Sequence, residues 1–166
     1  MTQSDEFVFS PDMISALTDI VPLRGRLLAV DFGDVRTGLA VSDATGLLAS
    51  GIGYIKPGGI AKTAEAVAAE AAARGVFAVV VGLPRNMDGS EGPRAGRCRE
   101  FAGRVHVLSG LPVVMTDERL STVAASRFLN ATNTRGRDRK KVIDTLSAEI
   151  ILQDTLERIK RMNTEG

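Results

Sequence analysis

Three acidic positions stand where a carboxylate is costly to keep. Asp31 closes the apolar run Leu27-Leu28-Ala29-Val30, so a side chain leaning inward would bury a charge at a penalty of several kcal/mol unless something compensates it. The pair Asp117-Glu118 follows the apolar stretch Val113-Val114-Met115 and puts acids at a second strand end. Asp144 sits among Val142, Ile143 and Leu146, near the core-facing stripe of a terminal helix. Acids converging from two strands and a helix repel one another unless a cation lies between them. An oxygen-only donor set without His or Cys points to Mg²⁺ or Mn²⁺. The single histidine, His106, supplies no zinc site, and the single cysteine, Cys98, allows neither an internal disulfide nor a thiolate cluster. Two such ions about 4 Å apart can activate water and stabilise a leaving oxygen in phosphodiester hydrolysis without a protein nucleophile. Taken singly, each acid could equally be an ion-pair partner of an arginine or a helix cap.

Basic and glycine-rich segments surround these acids. Arg36 lies in a turn bracketed by Gly33 and Gly38, where it is either a phosphate contact or a partner for an acid, and where glycine lets a substrate backbone come close to Asp31. The loop 86–94 opens a helix, and its backbone N–H groups, with Asn86 and Arg94, could hold a phosphate. Arg135, Arg137, Arg139, Lys140 and Lys141 are opposed only by Asp138 just before Asp144, a stretch to which a nucleic-acid backbone could be drawn. Arg97, Arg99 and Arg104 recur beyond Arg94 but not on one helix face. Aromatic residues make up 4% of the chain, so recognition is expected to read backbone and shape more than bases.

The elements that must position these groups follow from hydrophobic period and punctuation. Short strands are expected over 26–32, 38–42 and 51–55, an antiparallel meander. A helix over 60–74 ends at Gly75, a buried strand covers 76–81, a helix 93–108 and a strand 112–115. A helix over 121–130 with Ser121 as N-cap, a mobile polar loop over 130–141 and a long helix over 139–161 complete the order. The fold class is α/β: a mixed five-stranded sheet, three antiparallel strands then alternating helix and strand, flanked by helices. Length suits one domain over 26–160, with 1–25 as a partly ordered extension the domain does not need and 161–166 as a tail. With 21 basic against 20 acidic residues, net charge says nothing of nucleic acid, and distribution must. The first ten residues lack the basic-then-apolar pattern of a signal peptide and no apolar run spans a membrane, so a cytoplasmic protein without a membrane partner is expected.

Four blocks resemble the YqgF/RuvX family. They are Ala29-Val30-Asp31-Phe32-Gly33-Asp34-Val35-Arg36-Thr37-Gly38-Leu39-Ala40-Val41-Ser42-Asp43, the distinctive loop Val81-Gly82-Leu83-Pro84-Arg85-Asn86-Met87-Asp88-Gly89-Ser90-Glu91-Gly92-Pro93-Arg94-Ala95, Asp117-Glu118-Arg119-Leu120-Ser121-Thr122, and Lys141-Val142-Ile143-Asp144 with Ala148 and Ile151-Leu152-Gln153. The resemblance runs over residues 26–157. It implies a small ribonuclease H-like nuclease in which Asp31, Glu118 and Asp144 are the metal-binding, catalytic carboxylates, with Arg36, Asn86, Arg94, Arg119, Lys140 and Lys141 as substrate-binding candidates. Ser147 stands where the family more often has Ala. The implied activity is a two-metal endonuclease acting in 5′-end processing of pre-16S rRNA. Alternatives are a Holliday junction resolvase acting on branched DNA, which would need two active sites and hence a homodimer, and a non-catalytic nucleic-acid-binding module. An actin-like or sugar-kinase ATP-binding protein shares an Asp-x-Gly turn but needs two such domains.

Overall fold

Strand β1 (Leu27–Asp31) is buried along its apolar length, and its register explains the sheet. The structure, a computed structural model, describes residues 14–56, 58–117 and 137–165, with side chains of the last helix described from 145 to 164. Among the described residues, β1 is joined by α1 (Leu17–Ile20), β2 (Thr37–Ser42), β3 (Ala49–Ile55), α2 (Gly59–Arg74), β4 (Ala78–Leu83), α3 (Pro93–Ser109), β5 (Val113–Asp117) and α4 (Arg137–Glu165). The sheet order is β3-β2-β1-β4-β5, with β3-β2-β1 antiparallel and β4 and β5 added parallel to β1. This is the mixed sheet read from the sequence.

Alternation along the strands splits the core into two layers. Leu28, Val30, Val79, Val81 and Val113 pack with Val67 of α2 and Phe101 and Val105 of α3. Leu27, Ala29, Ala40, Ala78, Val80 and Val114 pack with Ala148, Ile151, Leu152 and Leu156 of α4. α4 runs antiparallel to β1. Its far end lies by Leu27 and Phe77, whereas the methyl of Thr145 near its start occupies the space a side chain on Gly51 would need. Gln153 fixes the crossing by accepting from the Ala49 N–H at 3.1 Å and donating to the Leu47 carbonyl at 3.2 Å. The start of α4 therefore reaches the sheet edge where β1, β4 and β5 end.

Several boundaries differ from expectation, for local reasons. Val76 and Phe77 are not in β4, because the Val76 N–H closes the end of α2 on Ala71 and the Phe77 N–H bonds to Arg26. β5 extends through Asp117, so that acid belongs to the strand. Arg139, Lys140 and Lys141 lie in the first turns of α4, as expected of a helix from 139, and the helix takes in Arg137 as well, so the loop expected over 130–141 does not extend over these residues. The expected helix over 121–130 lies outside the described residues. Within the segment read as an extension, Ile14 and Ile20 are buried, one in each core layer, so this part of it contributes to packing. α4 continues through Glu165, giving the expected tail a helical start.

Candidate active site

Asp31 is half-buried at the end of β1. The next residue fixes where it points. Phe32 turns to the other layer and stacks on Phe101 of α3, ring centroids 4.4 Å apart, which anchors the strand end and leaves Asp31 on the α4 face with Leu27 and Ala29. The same alternation puts Gly82 of β4 in line with Ala78 and Val80, and Thr116 of β5 in line with Val114. On the other side, Asp31 pairs with Gly38, and Gly38 with Tyr54. One row across the α4 face therefore reads Tyr54, Gly38, Asp31, Gly82, Thr116. Asp31 thus has a glycine on either side of it in this row.

Two buried hydroxyls on this face lack hydrogen-bond partners. Thr116, 8% exposed, and Ser147, 1% exposed and three residues past Asp144 on α4, each leave Oγ unsatisfied. Such groups cost about 1–3 kcal/mol unless water or a ligand meets them. A strand-end carboxylate with the unmet Thr116 hydroxyl in its own row of the sheet suits a hard divalent ion and its hydration water. Among the described residues no three of His, Cys, Asp and Glu form a metal-holding group; Glu118 and the side chain of Asp144 lie outside those residues. A hollow of about 440 Å³ lies at the opposite sheet edge, near Leu27, Phe77 and Leu156, and no carboxylate lines it.

The loops around Asp31 are tied to α3. Arg97 pairs with Asp34 in the β1–β2 turn, and Arg94 Nη2 reaches toward the Phe32 carbonyl at 3.5 Å. Glu91 takes a two-pronged bond from Arg99 and lies 3.7 Å from Arg85, and the Arg99 bond first, then the positive charge of both guanidinia, holds its carboxyl below the ordinary value. The loop closes on itself through the Asn86 N–H to the Ser90 carbonyl at 2.8 Å and Asn86 Nδ2 to Ser90 Oγ at 2.9 Å. Gly33 is required by its own turn, since a Cβ there would strike the Arg36 carbonyl oxygen. Arg36 lies over the Tyr54 ring, its guanidinium carbon 5.7 Å from the centroid.

Of the residues singled out from sequence, Asp31, Arg36, Asn86 and Arg94 thus surround the ends of β1 and β4. Asp144, Lys140 and Lys141 are on the starting turns of α4, with side chains outside the described residues, and Glu118 and Arg119 lie outside them altogether. Sequence reasoning passed over Tyr54, Thr116 and the Asp34–Arg97 pair; the period-two alternation of β3 and β5 was the signal available for the first two. His106 is at the other edge, its Nδ1–H donating to the Leu111 carbonyl at 2.8 Å.

A family model described as RuvX, Holliday junction resolvase, matches residues 25–158. The chain belongs to the RuvX family. One relative in it, from Rhodopseudomonas palustris strain BisB5 and provisionally named a pre-16S rRNA nuclease, is 44% identical over 145 residues, covering 87% of this chain and 91% of its own. Another with the same name, from Kineococcus radiotolerans, is 45% identical over 145 residues, covering 86% of this chain and 77% of its own. Among solved structures, RuvC of T. thermophilus in complex with a Holliday junction substrate aligns with a TM-score of 0.53 and 16% identity over 82% of this chain and 96% of that one, a likeness of fold. The RuvX chain described here thus has the ribonuclease H-like fold. No helix among its described residues is long and apolar enough to cross a membrane.

Proposed function

We propose that this RuvX-family chain is a divalent-metal-dependent endonuclease that hydrolyses phosphodiester bonds in structured nucleic acid, acting in the cytoplasm on the 5′ end of pre-16S rRNA. The observation that carries the reading is Asp31 on the α4 face between two glycines, at the sheet edge toward which α4 brings the backbone of Asp144. Relatives sharing over 40% of their residues along most of the chain and bearing the pre-16S nuclease name support this substrate. In this reading the nuclease unit spans 26–160, with 1–25 as an extension and 161–166 as a tail.

Asp31, Glu118 and Asp144 would hold Mg²⁺ or Mn²⁺, which supplies an activated water and charge stabilisation for the leaving oxygen. The chain's own part is positional. Gly38 and Gly82 admit a phosphate beside Asp31, while Arg36, Asn86, Arg94, Arg119, Lys140 and Lys141 draw and orient the backbone. The Glu91 clamp and the Asp34–Arg97 pair hold the two loops at a fixed distance from the carboxylate.

Cleavage of four-way DNA junctions is the second reading, favoured by the family's description. It requires a stable homodimer, since two strands must be cut symmetrically. The test is incubation of purified protein with a pre-16S fragment and a synthetic four-way junction, each with Mg²⁺, Mn²⁺ or chelator, beside Asp31→Asn. Metal-dependent cleavage of the rRNA fragment that Asp31→Asn abolishes is the expected result. Equal cleavage by the variant would trace the activity to a contaminant, and binding without cutting by either protein would make the chain a binding module.

A further inference from the structure

Among the described residues, two of the exposed large apolar side chains belong to the loops that leave the ends of β1 and β4. Val35 is 65% exposed and Met87 is 71% exposed. β1 and β4 are parallel neighbours, so both loops leave the sheet at the same edge, and each of these residues lies four positions past the last residue of its strand. The polar groups beside them are turned to one another. In the second loop the Asn86 N–H bonds to the Ser90 carbonyl and the Gly89 N–H to the Asn86 carbonyl, both at 2.8 Å. Asp88 Oδ1 accepts from the Ser90 N–H at 2.9 Å and from the Ser90 hydroxyl at 2.6 Å. In the first loop Asp34, next to Val35, is paired with Arg97 of α3. Each loop thus ties up polar groups and shows an apolar one to solvent, the reverse of an ordinary surface turn.

Apolar side chains held out in this way have a use where a surface exists to receive them. Loops closed by their own bonds lose little freedom on contact, so the two tips are organised before any partner arrives. In the nuclease reading the partner at this edge is nucleic acid, whose outer surface is charged and whose large apolar faces are those of its bases. Reaching such a face means parting a stacked step, which apolar wedges, methionine among them, can do. A duplex end is where that opening costs least, because the terminal pair has a stacked neighbour on one side only. We propose that Val35 and Met87 form an apolar wedge that enters the stack where a duplex stem gives way to single strand and holds the last base step open near Asp31. The inference rests on the nuclease reading above and deepens it: the substrate would be a stem end, selected by how readily its terminal step opens.

The probe is an RNA stem with a single-stranded 5′ extension and 2-aminopurine in the pair next to the junction, whose emission rises when that base unstacks. The full-length parent and a variant combining Val35→Ser with Met87→Ser are titrated onto it in chelator, with an end label reporting binding by anisotropy. Cleavage is then followed with Mg²⁺ or Mn²⁺. Both side chains are exposed, so the variant should keep the parent's melting midpoint. The parent should raise the emission as it binds, whereas the variant should bind with the emission flat and cut this stem roughly tenfold or more slowly. A second stem, mismatched at the same pair and so already open, should be cut by both proteins at similar rates. Equal slowing on both stems would mean that the two residues only shape their loops, and would overturn the wedge. Equal emission and equal cleavage by parent and variant would overturn it too, and leave the nuclease reading standing. A parent that opens the step but cuts neither stem in either metal would keep the wedge and remove the nuclease reading. If neither stem is bound, both fall.

Discussion

The two edges of the sheet use their polar groups in opposite ways. At the edge where β1 begins, the buried Ser42 hydroxyl accepts from the Leu27 N–H at 2.8 Å, and Asp43 folds the β2–β3 turn around itself, accepting from the Thr45 hydroxyl at 2.8 Å and the Leu47 N–H at 2.9 Å. Those bonds, the Thr45 one first, lower the Asp43 pKa. At the edge where β1 ends, Thr116 keeps a buried hydroxyl without a partner, and the loops are held by arginines reaching in from α3. One edge is complete as folded. The other is braced from outside and keeps an unmet hydroxyl in the row of Asp31, which separates an edge that stabilises from the edge proposed to work.

Asp31→Asn probes the working edge most severely. Removing a carboxylate from a metal-dependent site forfeits several kcal/mol of transition-state stabilisation, so cleavage should fall roughly a thousandfold or more, measured under single-turnover conditions. Its thermal midpoint without metal should stay close to the parent's, because Asn keeps the shape of the side chain and an oxygen that still accepts a hydrogen bond. A variant that lost activity and stability together would erase the contrast between edges. Ser42→Ala probes the closed edge and should do the reverse. It leaves the Leu27 N–H buried without a partner, costing about 1–3 kcal/mol and lowering the melting midpoint by roughly 2–4 °C for each kcal/mol, with cleavage at permissive temperature unchanged.

Thr116→Val sharpens the comparison because its expected sign is opposite to that of Ser42→Ala. The substitution keeps the shape and removes a hydroxyl that makes no bond, so the metal-free protein should gain up to about 1 kcal/mol in denaturant unfolding. If the hydroxyl serves water at the Asp31 site, cleavage should drop by about ten- to a hundredfold at the same time. Greater stability with full activity would make Thr116 an idle packing residue, and lower stability would mean that its hydroxyl is bonded after all.

How much of this was legible in the sequence follows from the range over which each signal acts. The strands, the two middle helices and the strand-end placement of Asp31 were readable, because apolar period and Gly or Pro punctuation are local. The start of β4 was misjudged since Val76 is as β-branched as Val79; only a capping bond to Ala71 and the Phe77 bond to Arg26 decide that the strand begins at Ala78. The basic run before Asp144 was ambiguous, since composition suits both a polar loop to 141 and a helix from 139, and α4 includes it from Arg137. The row from Tyr54 to Thr116 could not be read at all. It depends on register among five strands, including a shift between Leu39 and Ala40 that brings Tyr54 opposite Gly38, and no local pattern encodes that.

The smallest expected effect tests the bracing of the working edge. Glu91 joins the loop before α3 to Arg99 and Arg85, and those guanidinia hold its carboxyl below its ordinary 4.5. A carboxylate with a depressed folded pKa stabilises the fold fully above the value it has in the unfolded chain. That contribution is lost as pH falls from about 4.5 through the lower folded value, where the native state finally takes up the proton. Glu91→Gln removes the charge at every pH, so its melting midpoint should lie slightly below the parent's at pH 7 and converge on it as pH falls below 4.5. Because the pair is partly solvent-exposed, screening keeps the gap small, and added salt should narrow it further. Should the two curves run parallel down to acid, the clamp contributes nothing through charge, and the loop would be held by other bonds, those of Asn86 and Asp88 with Ser90 among them.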